Sequence, residues 1–488
     1  MNHKCGICGV SAKGDAGVFL YKMLVQLQHR GQLSAGITTF HPNEPQRLNT
    51  YRQLGTVNTA FHSENKEKFI QIMKKHSSSD GIGHVRYATS GPDDVSYAQP
   101  FERTHGNKNK WFSFCFNGNI SNYADLKINL ERENYHLVRD TDTEVIMHLF
   151  SKAIKESSSY KEIFKTVSDH LDGAYNIAFI DANGTLVAAR DPLGFHPLCY
   201  SIRGNDFAFA SESIALESIG FTNIIDLEPG QMIIKENGVI RLERFAVSQK
   251  KAHCFFEWVY FANPASILDS TLVYKARHCL GKELAYIETQ EISSDCIVVP
   301  VPDSSRPAGE GFAEVLKLPC VEGLIRNRYV GRTFIESKDR AQKVRDKFTV
   351  IRQVIEGKRV FLVDDSIVRG TTMKSMIDYI RTHGNPKEIH VRVSAPPIKW
   401  PCFYGIDMSS KNELAAAKYG GSDKEIIEGV RLEIGADSLI YQNEDKLVRG
   451  ICLPKESLCL ACINGEYPTK MGEQLRLFDG ECRACSVK

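Results

Sequence analysis

The sequence predicts a two-domain protein, with mixed α and β structure in its first half and a parallel α/β sheet in its second. At 488 residues the chain exceeds the size at which one hydrophobic core keeps growing. Strand-like runs alternate with Gly and Asp turns in the first half. The second half repeats an apolar strand followed by a helix, an order that predicts parallel strands joined by crossovers.

Composition excludes several classes of protein. A net charge of +2 and 42% apolar residues are typical of a globular protein without a basic nucleic-acid-binding surface. No apolar run approaches about 18 residues and no signal-peptide core is present, so we expect a cytoplasmic protein that does not engage a membrane. Fourteen cysteines in such a chain favour reduced thiols, catalysis or metal binding over disulfides.

In the first half, the segment GVFLYKMLVQLQHRG predicts a helix that stops near Gly31. The runs YNIAFI, GTLVAAR and DFAFAS predict strands. The basic and polar stretch SQKKAH indicates that a linker follows. We therefore divide the chain into five parts: a leader (1–4), a first domain (5–245), a linker (246–269), a second domain (270–440) and an irregular C-terminal extension (441–488).

In the second half, CIVVPV and VFLV are continuous apolar runs of the kind buried on both faces of a parallel sheet. A helix with Met373, Met376, Ile377 and Ile380 on one face follows the second run. Gly384 and Pro386 end that helix, and EIHVRVSAPP supplies the next strand by alternation.

The loop in VFLVDDSIVRGTT carries the chemistry of the second domain. Asp364 and Asp365 follow a buried strand, at the carboxyl end where open α/β sheets bind ligands. Small and hydroxyl-bearing residues then lead into a helix N-terminus suited to phosphate; these are Ser366, Gly370, Thr371 and Thr372. The acidic pair suits ribose hydroxyls or Mg²⁺.

This loop resembles the phosphoribosyl pyrophosphate (PRPP) signature of type I phosphoribosyltransferases. The resemblance implies that the loop holds the 5-phosphate, that the acidic pair holds the ribose, and that Ser304 of VPDSS joins the pair at Mg²⁺. The segment GLIRNRYVGRTFI resembles the flexible catalytic loop of one member of that family. Its guanidinium groups suit pyrophosphate and belong to Arg326, Arg328 and Arg332.

The first half carries seven motifs in a fixed order, CGI, HRGQ, GHVRYATSG, FNGNISN, TDTEV, LDGAYN and RDPLG. That order resembles the N-terminal-nucleophile glutamine amidotransferases and implies an αββα sandwich. Together with the PRPP loop, it identifies the chain as similar to the amidophosphoribosyltransferase family. The resemblance implies formation of 5-phosphoribosylamine, glutamate and pyrophosphate from PRPP, glutamine and water, the first step of purine synthesis.

Cys5 is the predicted nucleophile. A cysteine thiol needs a base, and an α-amino group, with a pKa of about 7.7 to 8.0, is neutral often enough to serve. Removal of residues 1–4 would place that amine on Cys5 itself. The resemblance implies that Asn117 and Gly118 form the oxyanion hole. It also implies that two charged residues bind glutamine, namely Arg86 at the α-carboxylate and Asp142 at the α-amino group.

Three features depart from the family pattern. Leu33 follows HRGQ where an acidic residue is common, and His196 stands where an Arg follows RDPLG. Both departures concern domain contacts or regulation more than catalysis. The leader is short and carries no acidic residue, so its self-cleavage is an assumption.

The cysteines near the C-terminus allow three interpretations, a zinc site, an iron-sulfur cluster and reduced structural thiols. Cys459 and Cys462 form one CxxC pair, and Cys482 and Cys485 form another after nineteen residues, a spacing that fits a zinc ribbon. The resemblance instead implies the iron-sulfur branch of the family, with a 4Fe-4S cluster held by Cys254, Cys402, Cys459 and Cys462. Cys482 and Cys485 would then lie in a mobile tail.

The resemblance further implies internal transfer of ammonia, with Tyr260 linking the two sites, feedback inhibition by purine nucleotides, and a homotetramer. One alternative is a paralogue with an inactive glutaminase half that uses free ammonia. Another is a non-catalytic PRPP-binding regulator, although no basic helical module for DNA is visible. The PRPP loop disfavours a different terminal-cysteine amidotransferase.

Overall fold

The computed structural model describes residues 5–87, 94–248, 250–327, 346–408 and 410–484, with side chains as far as Phe478. Within those ranges, no helix combines the length and apolar character needed to cross a lipid bilayer. Two domains follow one another along the chain, joined by a linker that packs against both.

The first domain is built on two antiparallel sheets. The neighbouring strands of the seven-stranded sheet are, in spatial order, Ile225–Asp226, Cys199–Arg203, Asp206–Ala210, Gly6–Ser11, Asp80–Arg86, Ser34–Phe40 and Leu48–Leu54. Those of the six-stranded sheet are Val239–Arg244, Gln231–Glu236, Leu186–Arg190, Gly173–Asp181, Phe112–Ile120 and Phe101–Arg103. Strands predicted from YNIAFI, GTLVAAR and DFAFAS are among them, so these predictions are confirmed.

Helices cover the outer faces of both sheets, which confirms the αββα sandwich. Those packed against the first sheet are Ala16–Gln26, Val57–Ala60, Lys66–Lys75 and Ser213–Glu217. Those against the second are Tyr123–Arg132, Asp142–Glu156 and Tyr160–His170. A buried layer that includes Ile7, Ile82, Cys115 and Ile180 fills the space between the sheets.

The predicted helix that ends near Gly31 is shorter in the structure. It stops at Gln26, and a 3-10 turn, Gln28–Arg30, continues to Gly31. Gly31 packs so closely on the strand Asp80–Arg86 that an added Cβ would lie 2.7 Å from the Arg86 carbonyl oxygen. That contact turns the chain into the next strand.

The second domain contains the predicted parallel sheet, in the order Cys296–Pro300, Arg359–Asp364, Glu388–Val393 and Ser438–Tyr441. Its helices are Val273–Ala285, Arg306–Leu316, Arg352–Ile355, Thr371–Gly384 and Asp423–Ile434. The helix Glu444–Ile451, at the start of the predicted C-terminal extension, packs on Val273–Ala285. Leu324–Arg326 and Phe348–Val350 form a separate antiparallel pair. The four predicted apolar positions of Thr371–Gly384 are all buried, as the spacing indicated.

The linker contains the short strand His253–Cys254, a π-helix at Glu257–Phe261, and the pair Ile267–Leu268 and Thr271–Leu272. Isolated 3-10 turns complete the described secondary structure, at Val95–Tyr97, Lys108–Lys110, Lys411–Glu413, Ala416–Lys418 and Lys455–Ser457.

The C-terminal extension is not irregular, and this prediction was wrong. It contains Leu458–Cys459, which pairs with the linker strand, and the helices Ala461–Asn464 and Lys470–Ala484. Cys482 belongs to the last helix rather than to a tail, and Cys485 lies outside the described residues. The sequence of this helix is rich in Glu, Gln, Leu and Arg, which favour helix. Its first turn is anchored by Met471, whose N-H donates to Asp172 Oδ2 at 3.3 Å.

Candidate functional site

Predicted glutaminase residues from four segments line one pocket in the first domain. The pocket is lined by Cys5, Arg86, Gly118 and Asp142, together with Tyr87 and Tyr97. Antiparallel pairing of Gly6 with Val85 brings the start of the first strand beside the end of the strand that carries Arg86. The opposite sheet contributes Gly118. The structure therefore brings together residues that are separated by more than a hundred positions in sequence.

Cys5 stands immediately before the strand Gly6–Ser11, with its Sγ 3.8 Å from the Tyr87 carbonyl oxygen. Burial raises the pKa of the Cys5 thiol, and the hydrogen bond to Tyr87 and the charge of Arg86 oppose this only in part. The thiol is thus protonated near neutral pH and needs a base before it can attack.

Asn117 and Gly118 lie near the end of the strand Phe112–Ile120. Asn117 is 1% exposed, and its Nδ2 has no hydrogen-bond partner among the described residues. A buried amide N-H without an acceptor raises the free energy of the folded protein, unless a bound ligand accepts its hydrogen bond. Gly118 has φ +157°, and an added Cβ would lie 1.8 Å from the Ala174 carbonyl oxygen. Only glycine fits at this position.

The two predicted glutamine-binding charges are both buried. Arg86 ends its strand, and its guanidinium lies over the Tyr97 ring, 5.7 Å from the centroid. Asp142 is the first residue of the helix Asp142–Glu156, whose N-cap is Thr141. Burial raises the pKa of Asp142 to about 6, although hydrogen bonds from Thr143 and Ile120 and the charge of Arg86 oppose the shift.

The acidic pair of the second domain stands at the carboxyl end of the strand Arg359–Asp364. Ser304 Oγ donates to Asp365 Oδ2 at 2.6 Å, and Ser305 Oγ donates to Asp364 Oδ1 at 3.1 Å. Burial, followed by the charge of Asp365, raises the pKa of Asp364 well above its ordinary value. A cation or hydrogen-bond donor from a ligand would favour the ionised pair.

The rest of the predicted PRPP loop follows the same strand. Ser366 Oγ donates to Asp365 Oδ1 at 2.7 Å, and Gly370, with φ +74°, precedes the helix that begins Thr371, Thr372. Arg326 is half-exposed and donates to Asp303 Oδ2 at 3.1 Å. The predicted residues Arg328 and Arg332 lie outside the described residues.

The four cysteines predicted to hold a cluster line a second, largely apolar pocket. Cys254, Cys402, Cys459 and Cys462 share it with Phe195, Tyr404 and Tyr467. Parallel pairing places Cys254 opposite Cys459, and the Tyr404 N-H donates to Cys402 Sγ at 3.4 Å. Burial, followed by the nearby sulfurs of the other three, raises the pKa of the Cys462 thiol. Over the part of the chain that the structure describes, no three or more His, Cys, Asp or Glu side chains are arranged around a single-ion site.

Three further predicted positions lie between the domains or beside the pocket. Tyr260 is half-buried in the π-helix, with its ring edge-on to Phe261. The Leu33 N-H donates to the Arg86 carbonyl oxygen at 3.0 Å. His196 is buried, with Nδ1 3.5 Å from Glu257 Oε1 and Nε2 3.1 Å from the Tyr404 carbonyl oxygen. The two departures from the family pattern therefore lie beside the pocket and at a domain contact.

A buried cluster of charged side chains beside Cys5 was not predicted from the sequence. Its members are Arg30, Glu212, Glu257 and, on the second domain's side, Arg277. One signal was available, because Glu257 interrupts the apolar run FFEWVYF. A carboxylate in such a run must be exposed or paired, and here it is paired with Arg30.

Comparison with known proteins identifies both domains. A family model described as a glutamine amidotransferase domain matches residues 84–218, and one described as a phosphoribosyl transferase domain matches residues 273–399. An amidophosphoribosyltransferase of Methanothermobacter thermautotrophicus is 40% identical, covering 99% of this chain and 98% of that protein. One from Bacillus subtilis is 38% identical, covering 96% of this chain and 95% of that protein.

Two solved structures superpose along nearly the whole chain. One is titled the allosteric regulatory enzyme of purine biosynthesis, with a TM-score of 0.85 and 37% identity, covering 96% of this chain and 97% of that chain. The other is the glutamine PRPP amidotransferase from Bacillus subtilis complexed with ADP and GMP, with a TM-score of 0.84 and 36% identity, covering 96% and 98%.

Proposed function

The chain belongs to the amidophosphoribosyltransferase family, and from that premise we propose which residues carry out each step of its reaction. It catalyses the first step of purine biosynthesis, in which glutamine, PRPP and water give 5-phosphoribosylamine, glutamate and pyrophosphate. The assignment of roles rests above all on one observation: Cys5, Arg86, Gly118 and Asp142 open onto a single pocket.

In the first domain, Arg86 holds the glutamine α-carboxylate and Asp142 holds the α-amino group, each through a charge-assisted bond. Cys5 Sγ attacks the amide carbon after its proton passes to the α-amino group freed by removal of residues 1–4. The Asn117 side chain and the Gly118 N-H stabilise the oxyanion. Ammonia leaves, and water hydrolyses the glutamyl thioester to glutamate.

In the second domain, the loop from Ser366 to Thr372 binds the 5-phosphate and the acidic pair binds the ribose. Ser304, Asp364 and Asp365 fit Mg²⁺, because they offer the oxygen ligands that this ion prefers, and Ser304 Oγ lies 2.6 Å from Asp365 Oδ2. When bound, Mg²⁺ would neutralise charge on the pyrophosphate. Ammonia then displaces pyrophosphate at C1, while Arg326, Arg328 and Arg332 contact the leaving group.

Internal transfer keeps ammonia at high effective concentration and away from solvent, and Tyr260, in the linker between the domains, couples the two sites. ADP and GMP are bound by one relative of known structure. By analogy we propose that purine nucleotides inhibit this enzyme, and that it works in the cytoplasm as a homotetramer.

We also propose that Cys254, Cys402, Cys459 and Cys462 hold a 4Fe-4S cluster. Four thiols around one apolar pocket fit this group, because the cluster would take four cysteine thiolates as its ligands. Zinc and reduced structural thiols are the alternatives. Iron and acid-labile sulfide at about four each per chain would support the cluster, whereas one zinc and no sulfide would exclude it.

The intact mass of the purified chain tests the proposed nucleophile most directly. A mass lacking residues 1–4, with glutamine-dependent formation of 5-phosphoribosylamine, is the expected result. A folded protein of full-length mass that works only with ammonium salts would leave Cys5 without its base. The ammonia-dependent alternative would then replace the glutaminase assignment.

A further inference from the structure

A single buried arginine joins the backbone of Cys5 to two carboxylates from elsewhere in the chain. Arg30 is 1% exposed, and its Nε donates to the Cys5 carbonyl oxygen at 3.1 Å. Its Nη1 donates to Glu212 Oε1 at 2.6 Å and to Glu257 Oε2 at 3.0 Å, and its Nη2 donates to Glu257 Oε1 at 2.9 Å. A guanidinium bound on all three nitrogens has little freedom to rotate, so these carboxylates fix where it meets Cys5.

Both carboxylates tie Arg30 to the linker. Glu257 begins the π-helix itself. Glu212 accepts hydrogen bonds from the Asn263 N-H at 2.9 Å and from Ser266 Oγ at 2.7 Å. Burial opposes its ionisation, but His29 and Arg30 hold the pKa of Glu212 at about 2. The linker between 257 and 266 therefore contacts a buried cluster of charged side chains. One member of this cluster, Arg30, donates a hydrogen bond to the backbone of Cys5.

On its other side, the same stretch of linker is held by the transferase domain. Arg277, on the helix Val273–Ala285, is buried and donates from Nε to the Trp258 carbonyl oxygen and from Nη2 to the Ala262 carbonyl oxygen, both at 2.8 Å. Burial lowers the pKa of Arg277 to about 10, and the opposing negative charges are led by Asp365 and Glu212. Arg277 thus holds, from the second domain, the same stretch of linker that contains Glu257.

We propose that Arg30 is a positioning residue that sets the backbone of the Cys5 nucleophile, and that Glu257 and Arg277 make this setting depend on how the second domain holds the linker. The route runs from Arg277 through the linker carbonyls and Glu257 to Arg30 and Cys5. A displacement of about 1 Å at a reacting atom can cost about 100-fold in rate, so small shifts of the linker matter at Cys5. This inference rests on the proposed role of Cys5.

Glu257→Gln tests the route, because it keeps the size of the side chain and removes the charge that fixes Arg30. We expect glutamine-dependent kcat/KM at saturating PRPP to fall by about 10- to 100-fold. The ammonia-dependent rate and the KM for PRPP should stay within about twofold, because Glu257 does not touch the transferase site. A purely structural defect would lower both activities together.

Glu288→Gln is the matched control. It breaks another buried bidentate pair, in which Arg392 Nε and Nη2 donate to Glu288 at 2.5 and 2.8 Å within the second domain. It should lower thermal stability and leave the ratio of glutamine- to ammonia-dependent activity at the wild-type value. An equal change of that ratio in both variants would overturn the proposal.

If Glu257→Gln does not fold, Arg277→Lys tests the proposed role of the linker instead. Lysine keeps the charge but cannot hold both linker carbonyls, so the ratio of glutamine- to ammonia-dependent activity should fall by about tenfold. A wild-type ratio in this variant would overturn the proposal and leave the role of Cys5 intact. A wild-type enzyme with no glutamine-dependent activity would overturn both.

Discussion

At the scale of single residues, the buried amide of Asn117 gives a direct test of the oxyanion hole. Its Nδ2 has no partner among the described residues, and its neighbours in the strand, Phe116 and Gly118, both line the pocket. Asn117→Ala should lower glutamine-dependent kcat by about 100- to 1,000-fold, the usual effect of removing one oxyanion donor. The ammonia-dependent rate should persist. Asn129→Ala, on an exposed helix surface, is the control and should change neither activity; retention of glutamine activity in Asn117→Ala would exclude the assigned role.

Asp142 predicts a particular pH dependence. Its carboxylate must be ionised to bind the glutamine α-amino group, and burial raises its pKa to about 6. The α-amino group of Cys5 must be neutral, with a pKa of about 7.7 to 8.0. Below pH 6 both groups are in the wrong state, so log kcat/KM for glutamine should fall with a slope of about 2.

In Asp142→Asn only the amine titrates, so the slope should be about 1 and kcat/KM should be lower at every pH. The measurement is kcat/KM for glutamine between pH 5 and 9, at saturating PRPP. Equal slopes in the two enzymes would show that Asp142 does not bind the substrate amine.

These residues were predicted because the motifs that contain them resemble, in their order, the motifs of a known family. Arg30 was not predicted to have a functional role, although the motif HRGQ that contains it was recognised. Its function depends on Glu257, more than two hundred residues away, and no local pattern predicts a long-range ion pair of this kind. Glu257 was visible as a charge in an apolar run, but its partner was not.

At the scale of secondary structure elements, Gly118 shows how one strand shapes the pocket. Gly118→Ala would force a Cβ to within 1.8 Å of the Ala174 carbonyl oxygen at φ +157°. We expect destabilisation by more than about 1 kcal/mol, because both the contact and the backbone angle are unfavourable. Glutamine-dependent activity should fall at least as far as in Asn117→Ala.

Thermal unfolding and the ratio of glutamine- to ammonia-dependent activity check this prediction. Gly106→Ala is the control, since no atom lies within 4 Å of its added Cβ. If Gly118→Ala unfolds at the same temperature as the control and keeps its activity ratio, the strand is not constrained as described.

Elements were predictable where periodicity and burial agree, as in the parallel strands of the second domain and the helix Thr371–Gly384. The final helix, Lys470–Ala484, was not predicted from the sequence. Its amphipathic signal is weak, with Leu477 and Phe478 exposed. What fixes its start is a tertiary contact, from Met471 to Asp172.

At the scale of the whole molecule, the cysteine pocket connects the linker, the second domain and the C-terminal extension. Cys402→Ser should remove one cluster ligand, lower the iron content and lower the unfolding temperature. Glutamine-dependent activity should fall more than ammonia-dependent activity, because Asn119 Nδ2 donates to the Phe403 carbonyl oxygen at 2.8 Å, next to Cys402.

Iron content, unfolding temperature and both activities would be measured under anaerobic conditions. Cys320→Ser, at an exposed thiol outside the pocket, is the control. Wild-type iron content in Cys402→Ser would exclude this cysteine as a ligand.

The bond from Asn119 to Phe403 also bears on the order of synthesis. A ribosome completes the strand that carries Asn117, Gly118 and Asn119 nearly three hundred residues before it reaches Phe403. The Met471 contact to Asp172 is made later still. A nascent first domain therefore lacks both contacts, and the Met471 contact forms only after the last strand of the parallel sheet, Ser438–Tyr441, has been translated. The chain order itself thus postpones the last of these contacts between the first domain and the rest of the chain until the second domain has been synthesised.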